Sequence, residues 1–176
     1  DCARRLVNLA SPRLGAKTLS CSDDFFAPME RILQDGEPVF IADKFDDHGK
    51  WMDGWESRRR RGGGFDHLVI QLGTRGIIKG VDIDTRYFTG NYPPKASIQV
   101  ADGGHSNQPG DLTWRELLSE IPLGPDSHHY VSISDPEPAT HLRLNIFPDG
   151  GVARLRVYGE PLPDWTRLSI EDIAEL

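Results

Sequence analysis

Two carboxylates, Asp82 and Asp84, alternate with apolar residues within residues 77–85. On a β-strand they point to one face, about 7 Å apart, because side chains repeat every two residues. Such a pair could hold a metal ion, or one carboxyl group with a raised pKa could donate a proton. A salt bridge to Lys79 or to the arginine-rich segment further along the chain is the structural alternative.

The adjacent histidines His128 and His129 are candidates for acid–base catalysis. Neighbouring residues on a strand point to opposite faces, so at most one of them shares a site while the other is packed or solvated. An imidazole that titrates near neutrality suits a general acid or base. We find no further ligands at convincing spacing, so we predict no metal site and no cofactor.

Residues 50–61 combine two tryptophans, two carboxylates and five cations. Basic residues interleaved with aromatic residues can bind nucleic acid. The net charge of −7 argues against that partner. We expect Trp51 and Trp55 to bury area beneath a loop while Glu56 or an arginine reaches a site.

The turn at residues 87–94 mixes aromatic rings with the polar side chains of Thr89 and Asn91. Such a mixture can form the rim of a small-molecule site. The alternative is that the rings only plug one end of the fold.

A β-hairpin is predicted by two alternating apolar–polar segments that flank a turn, at residues 141–147, 148–151 and 152–158. Parity then places Asn145 opposite Arg154 and Arg143 opposite Arg156. Facing cations repel each other, so an anion should lie beside them. It is either a protein carboxylate or a substrate carboxylate held in a bidentate fork.

The elements that must position these residues are mostly strands. Gly (18) and Pro (13) separate short apolar segments in a 176-residue chain, a pattern typical of a β-sandwich or barrel. Strands are predicted at residues 67–72, 77–85 and 97–101. At residues 113–118 a capping box of Thr113 and Glu116 favours a helix, whereas the short length and the β-like surroundings favour a strand, which we predict. A short N-terminal helix is predicted by a capping group, apolar spacing and a terminal glycine: Ser22, Asp23, Asp24, Met29, Ile32, Leu33 and Gly36. A second helix-start signal lies at residues 169–172.

The composition limits the classes of protein to which this chain can belong. The chain is 38% hydrophobic and 27% charged, which excludes a disordered segment, and no apolar run approaches the ~20 residues of a membrane span. The two cysteines require no disulfide framework and favour a reducing compartment. We therefore expect one domain, a small-molecule partner and no membrane.

Six motifs in order resemble the allantoicase family, in particular the first of its two tandem repeats. They lie at residues 23–27, 50–59, 80–85, 88–93, 127–129 and 141–159. The resemblance implies an all-β fold, a galactose-binding-like β-sandwich (jelly roll), over residues 1–163, with a C-terminal tail or inter-repeat linker at 164–176.

The same resemblance implies an enzyme that hydrolyses allantoate to ureidoglycolate and urea in purine catabolism, acting on a C–N bond. It also implies a cytoplasmic location and either homo-oligomers or association with a second repeat. Two alternatives stay open: a non-catalytic module that binds a ureide or carbohydrate, and one half of a two-repeat enzyme.

Allantoate carries one carboxylate and two ureido groups on a single carbon. Its hydrolysis needs a carboxylate clamp, a proton donor and a base that orients water. We expect catalytic roles for Asp82, Asp84, Glu56, His128 and His129. We expect substrate binding by Arg143 or Arg154 as the clamp, with polar groups from Asn145, Asn91 and Thr89.

Overall fold

The computed structural model describes residues 6–104 and 108–162, and strands dominate it. The strands are β1 (Val7–Asn8), β2 (Lys17–Cys21), β3 (Phe45–Asp46), β4 (Gly49–Lys50), β5 (Trp55–Glu56), β6 (Asp66–Asp84), β7 (Lys95–Ala101), β8 (Arg115–Pro122), β9 (His128–Ser132), β10 (Ala139–Phe147), β11 (Gly151–Val152) and β12 (Arg154–Pro161). Short 3₁₀ helices cover Pro12–Leu14, Met29–Leu33 and Pro109–Asp111. Within the described ranges, no helix has the length and apolarity that a membrane span requires.

Strand β6 is the longest of these strands and pairs with strands of both layers. Its 19 residues replace the two separate strands that the sequence predicts. The first half pairs with β2 and β10, and the second half pairs with β9 and β12. Two pairing orders therefore share β6, namely β8–β7–β10–β6–β2 and β1–β12–β6–β9. Register shifts opposite the middle of β6, in both β10 and β12, accommodate its passage from one layer to the other.

The core lies between these layers and follows the predicted side-chain alternation. Its main contributors are fully or almost fully buried residues on β6, β10 and β12: Leu68, Ile70, Leu72, Val81, Ile83, Leu142, Leu144, Ile146, Leu155 and Val157. The predicted strand over residues 113–118 is confirmed as part of β8. The predicted tail at 164–176, with its helix-start signal, lies outside the described residues.

The predicted N-terminal helix is wrong. A single 3₁₀ turn stands in its place at Met29–Leu33, with Pro28 before it. Arg154 and Arg156 donate to the carbonyl oxygens of residues 31 and 34–36. In a longer helix these carbonyl oxygens would accept hydrogen bonds from backbone amides of the following turn. Here the arginine side chains donate to them instead.

The predicted pairing of the two arginine-bearing strands is also wrong. Strand β10 lies between β6 and β7, and β12 lies between β1 and the other half of β6. Arg143 is therefore opposite Val69 and Gln99, and Arg154 is opposite Asp84. Parity correctly identifies the polar face of each strand, but it cannot identify the partner strand.

Candidate active site

Glu56 is a buried carboxylic acid held in place through its backbone. On β5 it pairs with Gly151 of β11, and its amide donates to the Ala27 carbonyl at 3.1 Å. The residue is only 7% exposed. Burial raises the pKa of Glu56 from 4.5 to about 7, while a hydrogen bond from Asn91 opposes the increase and the charge of Asp46 adds to it. The carboxyl group can therefore exchange a proton near neutral pH.

Asn91 donates its side-chain amide to Glu56 Oε2, and its loop is fixed against the turn before β11. Gly151 N donates to Asn91 O at 2.8 Å. A Cβ on Gly151 would lie 1.9 Å from Phe88 Cε1, so only glycine permits this approach. Gly150 has φ +137°, and a Cβ there would lie 2.7 Å from Asn91 O. The sequence places these glycines in a turn, but only the fold brings that turn to Asn91.

Two cavities meet at Glu56 and Asn91. The first, which we call the lysine cavity, has a volume of about 420 Å³ and contains Lys50, His48 and Thr89. The second, which we call the arginine cavity, has a volume of about 640 Å³ and contains Arg59, Arg60 and Ser57. Phe26 lines both. The structure thus brings together three of the predicted site residues, Glu56, Asn91 and Thr89.

The rim of the lysine cavity is rigidly held. Tyr87 has φ +73° and Asp126 has φ +46°, values that are rare for residues with side chains. Tyr87 N donates to Asp126 Oδ1 at 2.8 Å, and Asp126 N donates to Phe88 O at 3.2 Å. Lys50 Nζ lies 4.5 Å from the centroid of the Phe40 ring. Backbone strain of this kind persists where the surrounding contacts fix it, often beside functional sites.

Asp82 and His128 form a second polar group on the paired strands β6 and β9. His128 Nδ1 lies 2.7 Å from Asp82 Oδ2, and His129 N donates to Asp82 Oδ1 at 3.2 Å. Burial raises the pKa of Asp82, and the hydrogen bond and charge of His128 oppose the increase. This pair could relay a proton, but neither residue lines the two cavities that contain Glu56.

Asp84 is tied to an arginine. Arg86 binds both Asp84 oxygens, with Nη2–Oδ2 at 2.8 Å, and also contacts Glu37. One ligand atom each from Glu37, Asp84 and His128 lies within 4.8 Å of the others. Arg86 already neutralises both carboxylates, which disfavours a cation there. The predicted absence of a metal site stays a prediction.

The remaining predicted residues occupy other surroundings. His129 is structural, because its Nδ1 lies 2.8 Å from Ile83 O and its Nε2 accepts from Gly124 N at 2.8 Å. Arg143 lies over the Trp114 ring at 4.7 Å and donates to Gln99. Asn145, on the same strand, donates to Ser97 and Gln99.

Arg154 is bonded on all sides within the protein, and its predicted role as the substrate clamp stays a prediction. It is 1% exposed, pairs with Asp53 at 2.9 Å and donates to backbone carbonyls of residues 31, 36, 53 and 153. Its counter-charge is therefore a protein carboxylate, the alternative that the sequence left open. A substrate would have to displace several buried hydrogen bonds to reach it.

Sequence reasoning did not single out Lys50, His48 or Arg59 as site residues. All three belong to the segment between β3 and β6, where cations and carboxylates alternate closely. The sequence indicates that this segment contributes an arginine to a site, but only the fold shows which side chains line the two cavities.

Comparison with known proteins identifies relatives of this chain. The allantoicase repeat matches residues 7–162. A protein named "Probable allantoicase 2" from Burkholderia mallei is 52% identical over 173 residues, which is 98% of this chain and 52% of that protein. A "Probable allantoicase" from Ralstonia nicotianae is 52% identical over all of this chain and 53% of its own length. The chain thus spans about half the length of these curated relatives.

Solved structures give the same relationship. Allantoicase from Saccharomyces cerevisiae has a TM-score of 0.77 and 34% identity, covering 90% of this chain and 49% of that one. A family 32 carbohydrate-binding module from C. perfringens, solved with galactose, has a TM-score of 0.61 at 15% identity over 87% of this chain and 98% of its own, which supports the galactose-binding-like β-sandwich fold. The repeat match and the 52% identity over nearly the whole chain establish that this chain belongs to the allantoicase family.

Proposed function

We propose that this chain carries a site for hydrolysis of allantoate to ureidoglycolate and urea, a step of purine catabolism. Family membership supports the activity, and the chain's coverage of half of each relative makes it a proposal for this chain. The observation that carries it is Glu56, a buried carboxyl group with a pKa of about 7 where two cavities meet. Association with a second repeat or further copies, and a cytoplasmic location, stay predictions.

Glu56 suits the difficult step of the reaction. A ureido group leaves as urea only if its departing nitrogen gains a proton, and protonated Glu56 supplies it. The lone pair of the remaining ureido nitrogen stabilises the positive charge that develops on the carbon as the C–N bond to the departing ureido group breaks. Water then forms the new C–O bond and returns its proton to the Glu56 carboxylate. One water is consumed, one urea leaves, and the enzyme regains its starting protonation state.

Asn91 and Thr89 supply polar groups to the cavity that contains this carboxyl group. The hydrogen bond from Asn91 fixes the orientation of Glu56 and leaves the amide oxygen of Asn91 as an acceptor for ureido N–H groups. Thr89 lines the lysine cavity and offers a hydroxyl group. A second proton-transfer role for the Asp82–His128 pair stays a prediction, as does ureide binding by Asn145 and Arg143.

The test is urea release from allantoate by this chain, alone and joined to a second allantoicase repeat. Activity of the chain alone supports a self-sufficient site, and activity only when joined supports half of a two-repeat enzyme. In either case Glu56→Gln should lower kcat/KM by about 10²–10⁴-fold. The matched control Glu160→Gln removes one exposed carboxylate from β12. Urea release by neither form, with binding of a ureide or carbohydrate, would favour the non-catalytic module and contradict the proposal.

A further inference from the structure

The four consecutive arginines 58–61 differ in their ion-pair partners. Arg58 Nη2 pairs with Asp23 at 3.0 Å, and Arg60 Nη1 pairs with Asp66 at 2.7 Å. Arg59 lies between them and lines the arginine cavity. It forms no ion pair within residues 6–104 and 108–162. The two fixed neighbours thus hold the backbone on both sides of Arg59, which lines the cavity that contains Glu56 and also an adjoining cavity beside Asp66.

The other charged groups of the arginine cavity are already engaged. Asp149 Oδ2 accepts from the backbone amide of Arg60 at 2.7 Å, and Arg60 Nε donates to Gly63 O at 3.1 Å. Glu56 is protonated in about half of the molecules near pH 7, so it does not fully neutralise a nearby cation. Arg59 therefore has fork-like donors that match a carboxylate in two parallel hydrogen bonds.

Lys50 is the competing cation, in the lysine cavity. Its ammonium group lies over the Phe40 ring and is a compact point charge without a planar fork. The arginine cavity is also the larger of the two, at about 640 Å³ against about 420 Å³. Both observations favour Arg59 as the group that recognises a planar carboxylate beside Glu56.

We propose that Arg59 binds the substrate carboxylate and so determines the preference of this site for ureides with a carboxylate on the reacting carbon. This inference rests on the proposed function. With the carboxylate held by Arg59, a ureido group on the same carbon lies within reach of Glu56 and Asn91, which line the same cavity. Arg59 is a specificity-determining residue, while Glu56 moves the proton.

The experiment measures binding rather than turnover, so that it does not depend on catalysis. Two probes are titrated by calorimetry or NMR: ureidoacetate, which has one carboxylate and one ureido group, and its neutral amide, ureidoacetamide. The variants are Arg59→Met and the matched control Arg61→Met, which removes the same charge from the same run but outside the residues that line the arginine cavity. Both side chains are exposed, so thermal unfolding should be unchanged and serves as the folding control.

We expect Arg59→Met to weaken ureidoacetate binding roughly tenfold to hundredfold, the range for hydrogen bonds to a charged group. Ureidoacetamide binding should not change, and Arg61→Met should match the wild type with both probes. Equal losses in the two variants, no loss in Arg59→Met, or no binding of ureidoacetate by the wild type would each overturn the inference. Binding that depends on Arg59, with no urea release from allantoate by the chain alone or joined to a second repeat, would instead contradict the proposed function.

Discussion

The substitution Glu56→Gln tests whether the buried carboxyl group is neutral near physiological pH. Gln preserves the shape of the side chain and can still accept the hydrogen bond from Asn91. The increase in the pKa of Glu56 from 4.5 to about 7 corresponds to about 3 kcal/mol between its two protonation states. The residue is almost fully buried, so solvent screening reduces this value little.

The sign of the effect follows from the direction of the pKa change. Below pH 4.5 Glu56 is protonated in both the folded and unfolded states, so the wild type and the variant should have a similar pH dependence. As the pH rises toward 7, the unfolded chain ionises freely while the folded chain resists ionisation. The wild type should therefore lose about 3 kcal/mol of unfolding free energy relative to the variant by pH 8, with little further change above it.

The assay is equilibrium unfolding in urea from pH 5 to pH 8, compared between wild type, Glu56→Gln and the exposed control Glu160→Gln. Subtracting the wild-type free energy at each pH cancels the other titrating groups. A difference for Glu56→Gln that stays constant across this range would refute the raised pKa and, with it, the role of Glu56 as a neutral acid. In the active protein, kcat/KM should also fall above about pH 7, because the proton-donating form disappears.

Two further predictions concern the residues that support the site. Arg154→Met should destabilise the fold by about 3–5 kcal/mol in urea unfolding, because Asp53 stays buried without its partner; a loss below about 1 kcal/mol would show that the pair contributes little. Gly151→Ala should cost about 1–3 kcal/mol and reduce urea release, because the new Cβ collides with Phe88. Gly110→Ala, with no atom within 4 Å of its added Cβ and outside both cavities, is the control and should retain activity.

Side-chain alternation was sufficient to predict much of the fold. It identified the apolar faces of β6, β10 and β12 because their apolar side chains share one face, and a shift by one residue would place polar side chains in the core. It did not predict that β6 runs without a break from one layer to the other. The residues around its midpoint read as a turn, and the continuous strand depends on pairing with distant strands on both sides.

The candidate site was only partly predictable. Glu56, Asn91 and Thr89 were identified from local motifs, because each lies in a loop of unusual polar and aromatic composition. Asp82, Asp84 and His128 do lie close together, but none of them lines the two cavities that contain Glu56. Residue types alone indicate which groups could transfer protons, whereas their distance from one another depends on the order of strands in the sheet.

The arginines of β12 illustrate why strand pattern alone does not decide which cation is available to a substrate. Arg154 and Arg156 donate to carbonyls of residues 31 and 34–36, so they fasten that segment to β12. Releasing Arg154 for a substrate would also break its buried hydrogen bonds to Asp53 and to the Ala153 carbonyl, at a cost of about 1–3 kcal/mol for each group. Binding a substrate through an exposed guanidinium such as that of Arg59 breaks no buried hydrogen bond, because water already solvates this group. A clamp on a loop is therefore physically favoured over a clamp on the sheet, even though the strand pattern makes the sheet arginines easier to recognise.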